Sequence, residues 1–322
     1  MYKKYYGLDR NPFEISPDPY FLFATAKHNE ALASIIHGVL RRKGFMVVTG
    51  EVGTGKTLLV RCLLEILRRQ EIASANVFNP CLAPIEFLRY IAGDLGLKIT
   101  NQDKGTLLLE LNNFLIGRYR KGQTTVLIVD EAQHLEPELL EEIRLLTNLE
   151  TSQQKLLQIV LVGQPELDQK LDSIQLRQLK QRIALRCQLD ALQEFETKGY
   201  ILRRVERAGA TTYANALFPD ASIAAVHHYS RGIPRLINTI CENALIASYA
   251  QKSPQVMPDT IHEVARDLRI NVLTPPLDRE RSTTAGQQAI AKSLLQLIEA
   301  LERVARGTGP TPAVTSERVK IV

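Results

Sequence analysis

The octapeptide Gly50-Glu51-Val52-Gly53-Thr54-Gly55-Lys56-Thr57 constrains this chain more than any other feature. An apolar run from Phe45 precedes it and a helical pattern from Thr57 to Gln70 follows, so the order is strand, glycine-rich turn, helix. Glycines let the backbone curl until several N–H groups face one way. The helix N-terminus adds its dipole, and the product is a cradle for phosphate. The expected nucleotide contacts are therefore Gly50, Glu51, Val52, Gly53, Thr54, Gly55, Lys56, Thr57 and Leu58. Lys56 is placed to reach β- and γ-phosphates, and the Thr57 hydroxyl is placed to ligate Mg²⁺.

Short apolar runs begin at Phe45, Ser74, Thr125, Leu157 and Ile183, with longer helical stretches between them. Continuous apolar runs suit strands covered on both faces, and right-handed crossovers put helices on either side. The expected fold is α/β, a five-stranded parallel sheet covered by helices on both faces. After Leu189 the strand-like runs stop. Helical patterns over Glu194–Arg207, Ser222–Tyr229, Pro234–Ala250 and Pro258–Leu268 predict a separate small all-helical domain. The expected boundaries are 1–190 for an N-terminal segment plus α/β core, 191–270 for the helical domain and 271–286 for a polar linker. An amphipathic helix is expected over 287–306 and a disordered tail over 307–322. Ile290, Leu294, Leu297, Leu301 and Val304 space a heptad seam over two repeats, suited to self-association, to a partner helix or to docking on the chain's own lid.

The run from Thr125 to Val129 ends in Asp130-Glu131. Carboxylates at the end of a buried parallel strand sit where the sheet opens its crevice. Asp130 is placed to hold the Mg²⁺ shell, and Glu131 to polarise the water that attacks the γ-phosphate. Such an ending is common by itself. Paired with the phosphate loop, it points to ATP hydrolysis.

Composition removes several other classes. The chain has 322 residues, 45% of them hydrophobic and 23% charged, which excludes a disordered chain. A net charge of +5 permits an anionic partner without demanding one. Cys62, Cys81, Cys187 and Cys241 form no CxxC pair, so neither a zinc site nor a disulfide framework is expected. No apolar run approaches the ~18 residues of a membrane helix, and the N-terminus has no apolar signal core. The expectation is a cytoplasmic protein without an intrinsic span. The histidines, including His227, His228 and His134, lack ligand spacing, and His134 is the one nearest the Asp130-Glu131 pair.

Taken together, these motifs resemble an AAA+ ATPase, and more closely the ATPase module of the general secretion pathway protein A family. The carriers are Tyr5-Tyr6-Gly7-Leu8, Asn11-Pro12-Phe13, Pro17-Asp18-Pro19, the phosphate loop and Leu127-Ile128-Val129-Asp130-Glu131-Ala132-Gln133-His134-Leu135. Further along come Gly163-Gln164-Pro165-Glu166-Leu167, the stretch from Leu176 to Ile183, and Arg231-Gly232-Ile233-Pro234-Arg235-Leu236-Ile237-Asn238. The resemblance covers about Tyr5 to Leu268. It implies that Gln164 stands at a γ-phosphate-sensing position and that Arg235 reaches the phosphates from the lid. An arginine at a helix start opposes the dipole, so a nearby anion would account for it. The resemblance also implies an arginine that enters a neighbour's ATP site, Arg182 first and Arg177 second, and hence a homo-oligomer, ring or filament. Pro12 and Phe13 either stack near adenine or pack in the core.

Full-length members of that family carry a membrane span and a peptidoglycan-binding region after the ATPase, and residues 271–322 are too short and too polar for either. The implied function is an oligomeric ATPase using ATP and Mg²⁺ to assemble or remodel a protein complex. Its protein client or membrane partner is unidentified, and such a partner would hold the chain peripherally at the inner membrane. The alternative is an ATP-dependent DNA-binding regulator of transposition that polymerises on DNA. Basic clusters at Arg41-Arg42-Lys43, Arg118 to Lys121 and Arg203-Arg204-Arg207 would suit phosphates, and solvated helix faces would account for the same clusters.

Overall fold

The five apolar runs form β1 (Phe45–Gly50), β2 (Ala73–Val77), β3 (Thr125–Val129), β4 (Leu157–Gly163) and β5 (Ile183–Leu189). They make one parallel sheet in the order β2-β3-β4-β1-β5. The structure is a computed structural model that describes residues 1–270 apart from 15, 17, 22, 24, 79, 99–102 and 211–213. The linker, amphipathic helix and tail expected over 271–322 lie outside the described residues. Helices α1 (Tyr2–Tyr5) and α2 (Ala26–Leu40) precede the first strand. Interleaved with the strands are α3 (Lys56–Arg69), α4 (Pro84–Asp94), α5 (Lys104–Arg120), α6 (Pro137–Leu146), α7 (Pro165–Leu171) and the short α8 (Arg177–Lys180). After β5 come α9 (Glu194–Arg207), the short α10 (Ala214–Leu217), α11 (Asp220–Ser230), α12 (Pro234–Ala250) and α13 (Pro258–Asp267).

Successive strand residues point to opposite faces, so each central strand feeds two cores. Met46, Val48, Ile128 and Val160 pack with α2 and α3 on one face. Val47, Leu127, Val129 and Leu161 pack with Phe87, Leu111, Ile143 and Leu167 on the other. The fifth run corrects the sequence expectation. β5 is an edge strand paired only to β1, and its residues alternate between exposed (Ala184, Arg186, Gln188) and half-buried. An edge strand needs only one covered face, and the arginine and glutamine in this run are the trace of it.

Local chemistry sets the helix starts. Pro84, Pro137, Pro165, Pro234 and Pro258 open α4, α6, α7, α12 and α13, where a missing N–H costs nothing. The Asp103 carboxylate caps α5 by accepting from the N–H groups of Gly105 and Thr106 at 2.8 and 3.1 Å.

Beyond β5 the helices close on a separate apolar cluster that includes Ile201, Phe218, Val226, Ile237 and Leu245. The N-terminal residues Tyr6, Leu8, Phe13 and Phe21 are buried in that same cluster. The Tyr2 hydroxyl donates to the Glu242 carboxylate at 2.8 Å, and the Asp9 N–H donates to the Ala208 carbonyl at 2.7 Å. The start of the chain is thus fastened to the helices that follow the sheet.

One glycine governs how those helices meet the end of β5. Gly232 has φ +73°, its carbonyl accepts from the Leu192 N–H at 2.8 Å, and a Cβ there would lie 1.9 Å from the Leu192 carbonyl oxygen. Gly232→Ala is expected to destabilise the protein by about 2 kcal/mol or more through that clash and the left-handed backbone. A lower urea midpoint reads this out, and an unchanged midpoint refutes it. No helix among the described residues is long and apolar enough to cross a membrane.

Candidate nucleotide site

Strand order explains why three distant pieces of sequence meet. β1, β4 and β3 are neighbours, so the residues leaving their C-terminal ends converge on one crevice. The loop after β1 turns through Gly53 and Gly55, at φ +82° and +99°, before α3 begins at Lys56. Its shape is braced from within, where the Thr54 hydroxyl donates to the Glu51 carbonyl at 2.8 Å. It is also braced from α2, where His28 Nε2 lies 2.9 Å from the Thr54 carbonyl oxygen. A carbonyl can only accept, so Nε2 carries the hydrogen. Burial lowers the His28 pKa below its ordinary value, which keeps the ring neutral in that role.

The Lys56 ammonium is buried and donates to the carbonyls of Gly50 and Glu51 at 2.7 and 3.0 Å. Burial pulls its pKa down, opposed by the carboxylates of Glu131 and Asp130. Asp130 is only 3% exposed. One oxygen accepts from the Glu131 N–H at 2.9 Å and the other from the Thr57 hydroxyl at 3.4 Å. Burial raises the Asp130 pKa. A hydroxyl and a buried carboxylate are hard oxygen donors of the kind Mg²⁺ takes, so the residues present fit that ion.

Glu131 follows immediately, in the left-handed region at φ 52° and ψ 36°. Such a conformation is costly for a residue with a side chain and concentrates at functional sites. Its Oε2 accepts from Gln133 Nε2 at 2.6 Å and from Gln164 Nε2 at 3.4 Å. Burial pushes the Glu131 pKa up, but the two amides and the Lys56 charge outweigh it and the net shift is downward. Glu131 is thus held as an ionised acceptor. Gln164, just after β4, stands at the first turn of α7 without a side-chain cap bond and lines the same crevice.

The far wall comes from the helices. The Arg235 N–H donates to the Gly53 carbonyl at 3.3 Å, and a Cβ on Gly53 would lie 2.7 Å from Arg235 Cβ. The glycine therefore allows the phosphate loop and the start of α12 to touch. Glu242, the carboxylate best placed in sequence to pair with Arg235, is instead taken by Tyr2 and Asn11. The open crevice has a volume of about 440 Å³. Val52, Gly53, Gly55, Lys56, Thr57 and Leu58 line it, facing Glu131, Gln164 and Arg235.

Some expected residues fall elsewhere. Phe13 is fully buried, edge-on to Phe218 at 5.6 Å, and Pro12 gives its carbonyl to Arg204, so core packing accounts for both and neither lines the cavity. Their neighbours Glu14, Ser16 and Asp18 line it instead. Arg182 points away from its own cavity and donates to Thr147 Oγ1 and Asn148 Oδ1 at 2.5 and 2.6 Å. Arg177 is exposed, whereas Lys180 and Arg186 are ion-paired with Asp172 and Asp168. His134 is exposed, with Nδ1 3.4 Å from Gln133 Nε2. No group of three or more histidines, cysteines and carboxylates that could hold a metal occurs among the described residues.

Tyr200, Arg204 and Asn238 also line the cavity and were not anticipated. Arg204 corrects the reading of the third basic cluster as a charged surface, since it is 5% exposed. Its guanidinium lies over the Phe21 ring at 4.8 Å and donates to the Tyr200 hydroxyl at 2.8 Å. Tyr200 in turn donates to Asn238, and Asn238 to the Glu14 carbonyl. Tyr200 and Arg204 are four apart on α9 and so share a face, the one available sequence signal. The other two basic clusters meet, because the Arg42 guanidinium lies over the Tyr119 ring at 4.7 Å and donates to the carbonyls of Gly122 and Gln123 at 3.2 and 3.1 Å.

Residues 39–171 match the family model described as AAA domain. The chain is 42% identical over 269 residues to general secretion pathway protein A of Aeromonas hydrophila, covering 83% of this chain and 48% of that protein. It therefore spans about half the length of this curated relative. A shorter match, 36% identical over 99 residues, links 31% of this chain to 32% of the Mu-like prophage FluMu DNA transposition protein B of Haemophilus influenzae. In fold it is similar to the Aeropyrum pernix ORC2 protein, with a TM-score of 0.59 and 18% identity over 80% of this chain and 72% of that one. It is likewise similar to Cdc6p from Pyrobaculum aerophilum, with a TM-score of 0.58 and 17% identity over 77% of this chain and 70% of that one.

Proposed function

We propose, on the premise that this chain is an ATP hydrolase with an AAA+ core, that it works as an oligomer and spends ATP on assembling or remodelling a protein complex of an export or envelope system. The observation that supports the chemistry best is the convergence of Lys56, Glu131, Gln164 and Arg235 on one cavity. The similarity to general secretion pathway protein A over 83% of the chain supports the setting.

In this reading the loop N–H groups and Lys56 bind the β- and γ-phosphates. Thr57 and Asp130 would hold Mg²⁺, which when bound neutralises phosphate charge. Glu131 accepts a proton from the water as its oxygen bonds to the γ-phosphorus, and the bond to the bridging oxygen breaks to leave ADP and phosphate. Gln164 donates to the γ-phosphate, and Arg235 brings a positive charge from the α12 side. The helices after β5, with the N-terminal segment fastened to them, act as a lid domain over the nucleotide. Arg182 is bonded to Thr147 and Asn148 rather than lining its own cavity, so it acts on a neighbouring copy's ATP.

Specific ATPase activity should rise with protein concentration. Arg182→Ala should keep nucleotide affinity and lose roughly a thousandfold in the assembled turnover. Phosphate release measured across a concentration series tests this. Activity independent of concentration rejects the oligomeric reading, and loss in Arg177→Ala but not Arg182→Ala moves the role to Arg177. The second reading, ATP-dependent binding to DNA, is favoured by the match to the transposition protein and by the junction of the Arg41–Lys43 and Arg118–Lys121 clusters. DNA binding that needs ATP and weakens steeply with salt would support it.

A further inference from the structure

The carboxamide of Gln133 lies between two groups used by the proposed mechanism. Its Nε2 donates to Glu131 Oε2 at 2.6 Å, and its Oε1 accepts from the Gln164 N–H at 3.0 Å. The orientation is fixed by chemistry, because a backbone N–H can only donate and an ionised carboxylate can only accept. Flipping the amide would break both bonds. The residue is 9% exposed, so water does not readily replace either partner.

The surrounding chain is built for this approach. Gly163, the last residue of β4, faces the amide. A Cβ there would lie 3.0 Å from Gln133 Oε1 and 2.9 Å from Leu167 Cδ2. The Gln133 carbonyl accepts from the Lys170 ammonium at 2.8 Å, which ties the short turn after β3 to α7. The other amide on Glu131, from Gln164, is longer at 3.4 Å, so Gln133 is the firmer hold on that carboxylate.

We propose that Gln133 is a positioning residue that couples the γ-phosphate-sensing turn to the water-polarising carboxylate. This rests on the roles given above to Glu131 and Gln164. When the Gln164 side-chain amide turns to the γ-phosphate, Gln133 is the amide that still orients Glu131. Any displacement of the Gln164 backbone reaches Glu131 through the same planar group.

The test compares three variants by affinity for a non-hydrolysable ATP analogue and by single-turnover hydrolysis. Analogue binding also reports that each variant is folded. Gln133→Leu, close in volume, should bind within threefold of the parent and hydrolyse about 10- to 100-fold more slowly. Gln133→Glu keeps the acceptor for the Gln164 N–H but loses the donor to Glu131, so it should be impaired at least as much. A residue that merely supported the turn would be rescued by Glu. Combining Gln133→Leu with Glu131→Gln should cost nothing beyond Glu131→Gln alone. Parental hydrolysis in Gln133→Leu, rescue by Gln133→Glu, or multiplied losses in the double variant would each overturn the coupling. If Glu131→Gln alone hydrolyses at the parental rate, the underlying role of Glu131 fails instead.

Discussion

Lys56→Ala should weaken ATP binding sharply. The ammonium is buried against the loop and lies in the field of Asp130 and Glu131. Once it is removed, a triphosphate entering the loop meets two carboxylates with no fixed cation between them and the phosphates. A charge-assisted contact of this kind contributes about 1.5–3 kcal/mol, so affinity should fall by about 10- to 150-fold. Calorimetric titration with ATP measures it directly, with thermal unfolding of the free protein as the control for folding. A dissociation constant within threefold of the parent would remove Lys56 from the phosphate site.

The second large effect separates binding from chemistry. Glu131→Gln keeps the size of the side chain and leaves the loop and Lys56 intact, so ATP affinity should stay within threefold. The amide cannot take the proton of the attacking water. General-base assistance is typically 10²- to 10⁴-fold, so single-turnover hydrolysis should fall at least about 100-fold. Parental hydrolysis would reject Glu131 as the base. The same variant, holding ATP, is the natural bait for a protein client in an affinity capture.

The parts of this site that the sequence made legible are those in which function and local structure share a few consecutive residues. Gly50 to Thr57 is such a case, because turn, phosphate contacts and helix start all fall within one octapeptide. Asp130-Glu131 is another, because a strand end needs only its own apolar run to be recognised. The strands and most helices were equally local, since periodicity and five helix-opening prolines mark them. What escaped depends on contacts far apart in sequence. Gln133 is visible in the motif, but its bond to the turn at Gln164 exists only once β3 and β4 are side by side. Arg204 reads as one of three surface cations because its burial depends on Phe21 and on the Pro12 carbonyl, nearly two hundred residues away. Phe13 invites a role beside a base, yet its partner Phe218 draws it into the helical core.

The fastening of the N-terminal segment to the later helices sets an order in time. Residues 1–21 leave the ribosome long before α9 to α12, but Tyr6, Phe13 and Phe21 have nothing to bury against until those helices exist. The sheet, by contrast, has all its strands once residue 189 has emerged. Nascent chains arrested once β5 has emerged should therefore hold a folded sheet with an open phosphate loop, while those arrested once Ala250 has emerged should close the cavity. Nucleotide retention becomes a late-acquired property of the growing chain, and the opening twenty residues wait through most of synthesis for the surface that receives them.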